Sequence, residues 1–264
     1  MLTAAAQAVA RIRETHPLVH SITNYVTVND VANILLSYGA APAMVEDDAE
    51  TFGFAQISSA LYINLGTLTK EQELAAAQAV LGARQGNTPI VIDPVALGAI
   101  PRKAEVLRRL IELGTPAVIK GNSGEILALA GVAGAVRGVD AVGDAEGLED
   151  AAANVAGQLG VVVAATGPVD IVSDGTRTFR IHNGHELLTR VTGAGCMVGA
   201  LVAAASAVTD PLTAAVAGIV SMGVAGELAA QAAQLPGSFR VALIDAIYQV
   251  DAALIAERGR VDEL

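Results

Sequence analysis

Short runs of β-branched and aliphatic residues alternate along the chain with longer segments of helical periodicity, and few architectures satisfy that order. Strands are predicted at residues 18–22, 43–45, 61–65, 90–93, 117–120 and 161–166, with helices at 29–38, 70–84, 102–113 and 147–159. Val28, Val31, Ala32 and Leu35 keep the i, i+3, i+4, i+7 spacing of one buried helix face. A helix between two strands returns the chain along the sheet, so the strands run parallel through right-handed crossovers. Ile90-Val91-Ile92 is apolar at every position, as a strand covered on both faces requires. After Gly167 the pattern changes. Residues 169–173 and 177–181 flank Asp174-Gly175, a hairpin signal that adds an antiparallel ribbon at the sheet edge. The remainder reads as mostly helical. The expected class is α/β, a mostly parallel central sheet with helices on both faces, in one domain over residues 1–264.

Composition limits how such a core is filled. With 53% hydrophobic residues, no Trp, four Phe and four Tyr, the interior must be built from Ala, Val, Leu and Gly. Small side chains favour close helix–sheet contact or helices packed into a subunit interface. The formal charge of −11 repels phosphate backbones, so nucleic acid is not an expected partner. ATP is not excluded, because a few local amides and one cation outweigh a global field. One cysteine allows no internal disulfide and fits a reducing cytosol. Residues 1–14 lack the basic-then-apolar order of a signal peptide. Residues 196–208 and 214–226 are apolar, but the first is too short to span a bilayer and Asp210-Pro211 separates them. Both read as buried helices, with no membrane association expected.

Ligands of open parallel sheets bind beyond the carboxyl ends of the strands. In this chain those ends carry Thr23-Asn24, Met44, Gly66-Thr67, Asp93-Pro94, Gly121-Asn122 and Thr166-Gly167. Each alone is ordinary turn chemistry. Together they gather amides, hydroxyls and a carboxylate on one rim. Thr192-Gly193-Ala194-Gly195-Cys196 then opens an apolar helix, where free N–H groups attract anions. Gly193, Gly195 and Gly199 miss the dinucleotide spacing by one residue, and no G-x-x-x-x-G-K-[ST] run occurs. Cys196 falls in the first helical turn, where the dipole favours a thiolate. Asp93 and Glu125 are the acidic residues best placed for a partly hydrated magnesium, although Glu125 also suits a helix first turn. His182 and His185 read as a surface turn, neither His16 nor His20 receives a catalytic role, and residues 140–150 read as a solvated loop entering a helix.

Taken together, these segments resemble the hydroxyethylthiazole kinases, ribokinase-like enzymes of thiamine salvage. The match rests on His20 to Asn33 (HSITNYVTVNDVAN), Asn64 to Leu68 (NLGTL), Asp93-Pro94-Val95, Gly121 to Glu125 (GNSGE), Thr166 to Asp170 (TGPVD), Thr192 to Met197 (TGAGCM) and Pro236 to Arg240 (PGSFR), in family order over nearly the whole chain. The resemblance implies transfer of the ATP γ-phosphoryl group to the alcohol of 4-methyl-5-(2-hydroxyethyl)thiazole. It implies thiazole contacts from Met44 and Gly193 with Asn24 nearby. Nucleotide contacts would come from Lys120 and Thr166, beside Asn122 and Gly167. Magnesium would lie at Asp93 and Glu125, and an anion loop over Gly193, Ala194, Gly195 and Cys196. Cys196 would stand where related kinases place the group that accepts the alcohol proton. A cytoplasmic homotrimer with sites between subunits is implied as well. Three positions depart from the family pattern: Lys120 replaces an Arg, Ala96 a Gly, and Ala194 a Thr. The competing readings are a related kinase for another small alcohol and a non-catalytic thiazole- or nucleotide-binding protein.

Overall fold

The computed structural model describes residues 1–132 and 145–264. One nine-stranded sheet organises the chain. Its strands are β1 (Leu18–Ile22), β2 (Ala41–Ala43), β3 (Ala60–Asn64), β4 (Ile90–Asp93), β5 (Val118–Asn122), β6 (Val162–Thr166), β7 (Asp170–Ser173), β8 (Thr178–Ile181) and β9 (Val261–Glu263). They lie in the order β2-β1-β3-β4-β5-β6-β7-β8-β9. The first six are parallel, and β7, β8 and β9 continue the sheet antiparallel.

The helices are α1 (Leu2–Thr15), α2 (Val28–Tyr38), α3 (Asp48–Ile57), α4 (Lys70–Gly86), α5 (Pro101–Leu113), α6 (Ser123–Val132), α7 (Ala145–Leu159), α8 (Ala194–Ser206), α9 (Pro211–Ala232), α10 (Pro236–Gln249) and α11 (Ala252–Arg258). Two hydrophobic cores form, one per sheet face. Alternate strand residues divide between them: Tyr62, Val162 and Ala164 face α1, α2 and α8 to α11, whereas Leu61, Ile63, Val163 and Ala165 face α3 to α7. This is the period-two consequence of burying both faces. Among the described residues α9 alone is long and apolar enough to cross a membrane, but 89% of its apolar stretch is buried inside the protein.

Three features depart from the sequence reading. The strand expected at 43–45 occupies Ala41–Ala43 instead, which leaves Met44 just past its end. β2 is an edge strand paired only with β1, so Pro42 is tolerated within it. Helix α3 is absent from the sequence expectation, although Asp47 caps it by accepting the Ala49 N–H at 2.9 Å. Strand β9 is absent from it too, and β9, rather than the hairpin, forms the sheet edge. Of the acidic segment 140–150, residues 140–144 lie outside the described residues and the rest begins α7.

Helices α3 and α4 meet closely enough that a Cβ built on Gly82 would lie 2.0 Å from the Phe52 carbonyl oxygen. Backbone cannot swing aside as a flexible side chain does. Gly82→Ala is expected to destabilise the protein by about 1–3 kcal/mol or more through overpacking, read as a lower urea midpoint at unchanged slope.

Candidate active site

Carboxyl ends of β1, β3, β4, β5 and β6 converge on the start of α8. Gly193 is the N-cap of that helix, in the left-handed region at φ 84°. A side chain there would be strained by the backbone alone and would also strike Thr27, whose Cγ2 would lie 2.5 Å from the new Cβ. The first-turn N–H groups of α8 lack partners within the helix, and Ala194 N–H reaches the Val191 carbonyl at 3.3 Å.

A buried polar network fixes the helix start. Tyr62 donates its hydroxyl hydrogen bond to the Cys196 carbonyl at 2.9 Å, and the Tyr62 hydroxyl oxygen accepts from Asn64 Nδ2 at 3.0 Å. Asn24 Nδ2 donates to Asn64 Oδ1 at 2.8 Å and approaches Cys196 Sγ at 3.6 Å, while Asn24 Oδ1 accepts the Val26 and Thr27 N–H groups. The sequence reading assigns no role to Tyr62 or Asn64. A tyrosine inside an otherwise apolar strand is the available signal, because a buried hydroxyl needs a partner.

Lys120 does not reach outward. It is 3% exposed and its Nζ donates to Asp93 Oδ2 at 3.2 Å. A Cβ on residue 195 would lie 3.2 Å from that ammonium, so Gly195 lets a positive charge sit directly against the anion loop. Burial opposes the charge on Lys120, but Asp93, with help from Cys196 and Glu125, outweighs it and holds its pKa above the ordinary value. Burial raises Asp93, Lys120 pulls the other way, and the nearby Glu125 carboxylate raises it further. Asp93 Oδ1 is buried with no hydrogen-bond partner. Such an atom beside a second carboxylate fits a divalent cation, and magnesium binds through one or two carboxylates plus water. Among the described residues no cluster of three or more such ligands exists.

Glu125 also has a structural task. Its Oε1 accepts the Ala96 N–H at 2.8 Å and its Oε2 the Asn122 N–H at 2.7 Å. Asn122 answers by accepting the Glu125 N–H at 2.9 Å, so its side chain caps α6 instead of facing a cavity. Cys196 departs from the first-turn expectation. Burial and the Asp93 carboxylate push its thiol up, against the smaller opposing effects of Lys120, Thr27 and Asn24.

Two cavities meet at this loop. One, of about 520 Å³, is lined by Asn24, Thr27, Gly193 and Cys196, with Lys103 and Ile100 from α5 and the turn before it. The other, of about 550 Å³, is lined by Thr166, Gly167, Asp170, Ala194 and Gly195, with the 182–189 segment as its far wall. The predicted histidine turn is therefore a cavity wall. Met44 is half-buried and lines neither cavity. His20, buried, gives its Nε2 to a hydrogen bond with the Val45 carbonyl at 2.8 Å and so ties β1 to the segment after β2.

The chain as a whole is similar to known proteins. The model of the hydroxyethylthiazole kinase family covers residues 9–253. The chain is 55% identical over 255 residues to hydroxyethylthiazole kinase 1 of Clostridium botulinum, spanning 96% of this chain and 97% of that protein. It is 53% identical over 266 residues to the hydroxyethylthiazole kinase of Desulfitobacterium hafniense, spanning 100% and 98%. The solved hydroxyethylthiazole kinase protein of Pyrococcus horikoshii superposes with a TM-score of 0.92 at 41% identity, over 98% of each chain. A Staphylococcus aureus pyridoxal kinase shares the ribokinase-like fold, with a TM-score of 0.61 at 17% identity over 80% of this chain and 88% of that one.

Ala96 is a non-glycine residue at φ 62°, in the left-handed region. A Cβ there costs roughly 1–2 kcal/mol, and the greater unfolded-state freedom of glycine takes back about 0.5–1 kcal/mol. Ala96→Gly is expected to stabilise the protein by up to about 1.5 kcal/mol, measured by urea denaturation.

Proposed function

This chain belongs to the hydroxyethylthiazole kinase family, and from that premise we infer that it transfers the γ-phosphoryl group of ATP to the primary alcohol of 4-methyl-5-(2-hydroxyethyl)thiazole in thiamine salvage. One observation carries the geometric side of this reading. Two cavities of similar size lie on either side of a single anion-binding loop, with Gly193 and Cys196 facing one and Ala194 and Gly195 facing the other. A transferase for two substrates needs such a shared wall, because the phosphoryl group must pass from one site to the other.

The cavity with Thr166 and Gly167 is assigned to the nucleotide, and the cavity with Asn24, Gly193 and Cys196 to the thiazole alcohol. Phosphoryl transfer asks the protein mainly for positioning and charge stabilisation. Free amides at the start of α8 would bind the charge on the phosphate oxygens, and Lys120 behind Gly195 adds a cation that solvent does not screen. Lys120 in place of Arg acts as a point charge beneath the loop rather than as a bidentate phosphate clamp. Asp93 and Glu125 would hold magnesium, in part through water. An ion held there would supply charge neutralisation at the phosphates. The backbone N–H groups of Ala96 and Asn122 orient Glu125 for that role.

Cys196 is the group proposed to face the alcohol. Its raised pKa leaves only a small thiolate fraction at neutral pH. The thiol form orients the hydroxyl, and the thiolate form takes the alcohol proton, becoming the thiol, late in a loose transition state as the oxygen bonds to the γ-phosphorus and ADP leaves. Asn24, 3.6 Å from the sulfur, holds it in place. The chain is further proposed to act as a cytoplasmic homotrimer of single-domain protomers. Tyr25 and Val26, 72% and 50% exposed beside the thiazole cavity, support a subunit contact there. Met44 is proposed to reach the thiazole within that assembly.

A coupled ADP-release assay tests the activity. Turnover should require the thiazole alcohol and vanish in excess chelator; undiminished turnover without divalent metal would mean that Asp93 and Glu125 hold no ion the reaction needs. Cys196→Ala should lower kcat by about 10²-fold, at the low end of general-base removal. Cys196→Asp should retain more activity than the Ala variant, since a carboxylate ionises more readily than a thiol. An active, stable Ala variant beside a dead, unstable Asp variant would reduce Cys196 to a packing residue.

A further inference from the structure

We propose that Asp170 is a specificity-determining residue of the nucleotide site, accepting a hydrogen bond from an O–H or N–H donor on the nucleoside part of ATP. The proposal rests on assigning the cavity of Thr166 and Gly167 to the nucleotide. Asp170 opens β7, four residues after Thr166 closes β6, and lines that cavity together with Ala194 and Gly195. Only one carboxylate oxygen is engaged. Oδ1 accepts the Gly167 N–H at 2.8 Å, which folds the 166–170 turn around the carboxylate, and Oδ2 has no partner among the described residues.

A carboxylate with no ion-pair partner in hydrogen-bonding range is an expensive group to bury. Burial pushes its pKa up to about 7, and the Gly167 N–H and the more distant Lys120 offset this only in part. His182, His185 and Glu186 also line the cavity. The sign of the consequence follows directly. A carboxyl that titrates near 7 when folded and near its ordinary 3.8 when unfolded binds its proton more tightly in the native state. The stability it contributes is full below pH 3.8 and is lost as the pH rises through 7. At pH 8 Asp170 therefore opposes folding. Stabilisation does not explain this residue, and perturbed buried groups in cavities cluster at functional sites.

Chemistry narrows what it meets. An ionised carboxylate accepts hydrogen bonds and repels phosphate, so the triphosphate belongs at the Ala194–Gly195 side of the cavity. The donors left on ATP are the two ribose hydroxyls and the amino group of the base. Both present the same chemistry to Asp170, and analogues separate them.

Binding of ATP, 2′-deoxy-ATP, 3′-deoxy-ATP and inosine triphosphate is to be measured by calorimetry on the full chain and on Asp170→Asn, alongside melting temperatures at pH 8. Asp170→Asn keeps an acceptor for the Gly167 N–H but removes the charge. The expected result is roughly tenfold weaker ATP binding, the scale of one charge-assisted hydrogen bond, with a melting temperature equal to or above that of the parent. At least one analogue should bind the parent about tenfold worse than ATP while the variant discriminates less, which identifies the donor by non-additivity. Equal discrimination by parent and variant against all three analogues overturns the proposal, as does a lower melting temperature with unchanged ATP affinity. Photolabelling with 8-azido-ATP separates the two levels of inference. Label on the 182–189 segment or on α8 with additive losses removes Asp170 alone, and label elsewhere removes the nucleotide assignment and Asp170 with it.

Discussion

The hydroxyl of Tyr62 holds helix α8 onto the sheet, and the geometry of both cavities depends on that hold. Its donation to the Cys196 carbonyl fixes the first turn of α8 over the ends of β3 and β4. The ring also sets how close the helix comes, since a Cβ at Gly199 would lie 2.6 Å from it. Burial, with Asp93 and Cys196 nearby, raises the phenol pKa well above its ordinary range, so the group remains a neutral donor. Loss of this hydrogen bond would leave the buried Tyr62 hydroxyl with one partner fewer and loosen the start of α8.

Charge is concentrated where a stable core would avoid it. Asp93, Lys120 and Glu125 are all buried, at 1%, 3% and 7% exposure. A buried ion pair contributes little net stability once desolvation is counted, and Asp93 keeps an oxygen without a partner. On the proposed function, these residues are a prepared electrostatic environment that the phosphates and a divalent ion would complete. Substrate binding should then relieve the desolvation that the empty fold has already met, which is how preorganisation lowers a barrier.

Much of this is legible in the sequence. Leu18–Ile22 and Ile90–Asp93 form as predicted, and in the second the run Ile90-Val91-Ile92 is apolar at every position, as burial on both faces requires. Asp93, Thr166, Gly193 and Cys196 are placed by their position after strands or before a helix, where local sequence dictates geometry. Strand β9 is not legible, because three residues of mixed polarity become a strand only when β8 offers them a free edge. Helix α3 has a weak periodic pattern and depends on the contact of Gly82 with Phe52.

Sequence by itself determined the alternating architecture, the rim on which the site forms, and the glycines that open α8, since these follow from periodicity and backbone freedom within a few residues. Tertiary structure decided the rest. The Lys120–Asp93 pair joins residues 27 positions apart, and Asn24 and Cys196 meet across 172. Whether Cys196 favours thiol or thiolate, and whether Asp170 is a turn residue or a costly buried charge, depend on desolvation. That is a property of everything packed around a group, and no local pattern encodes it.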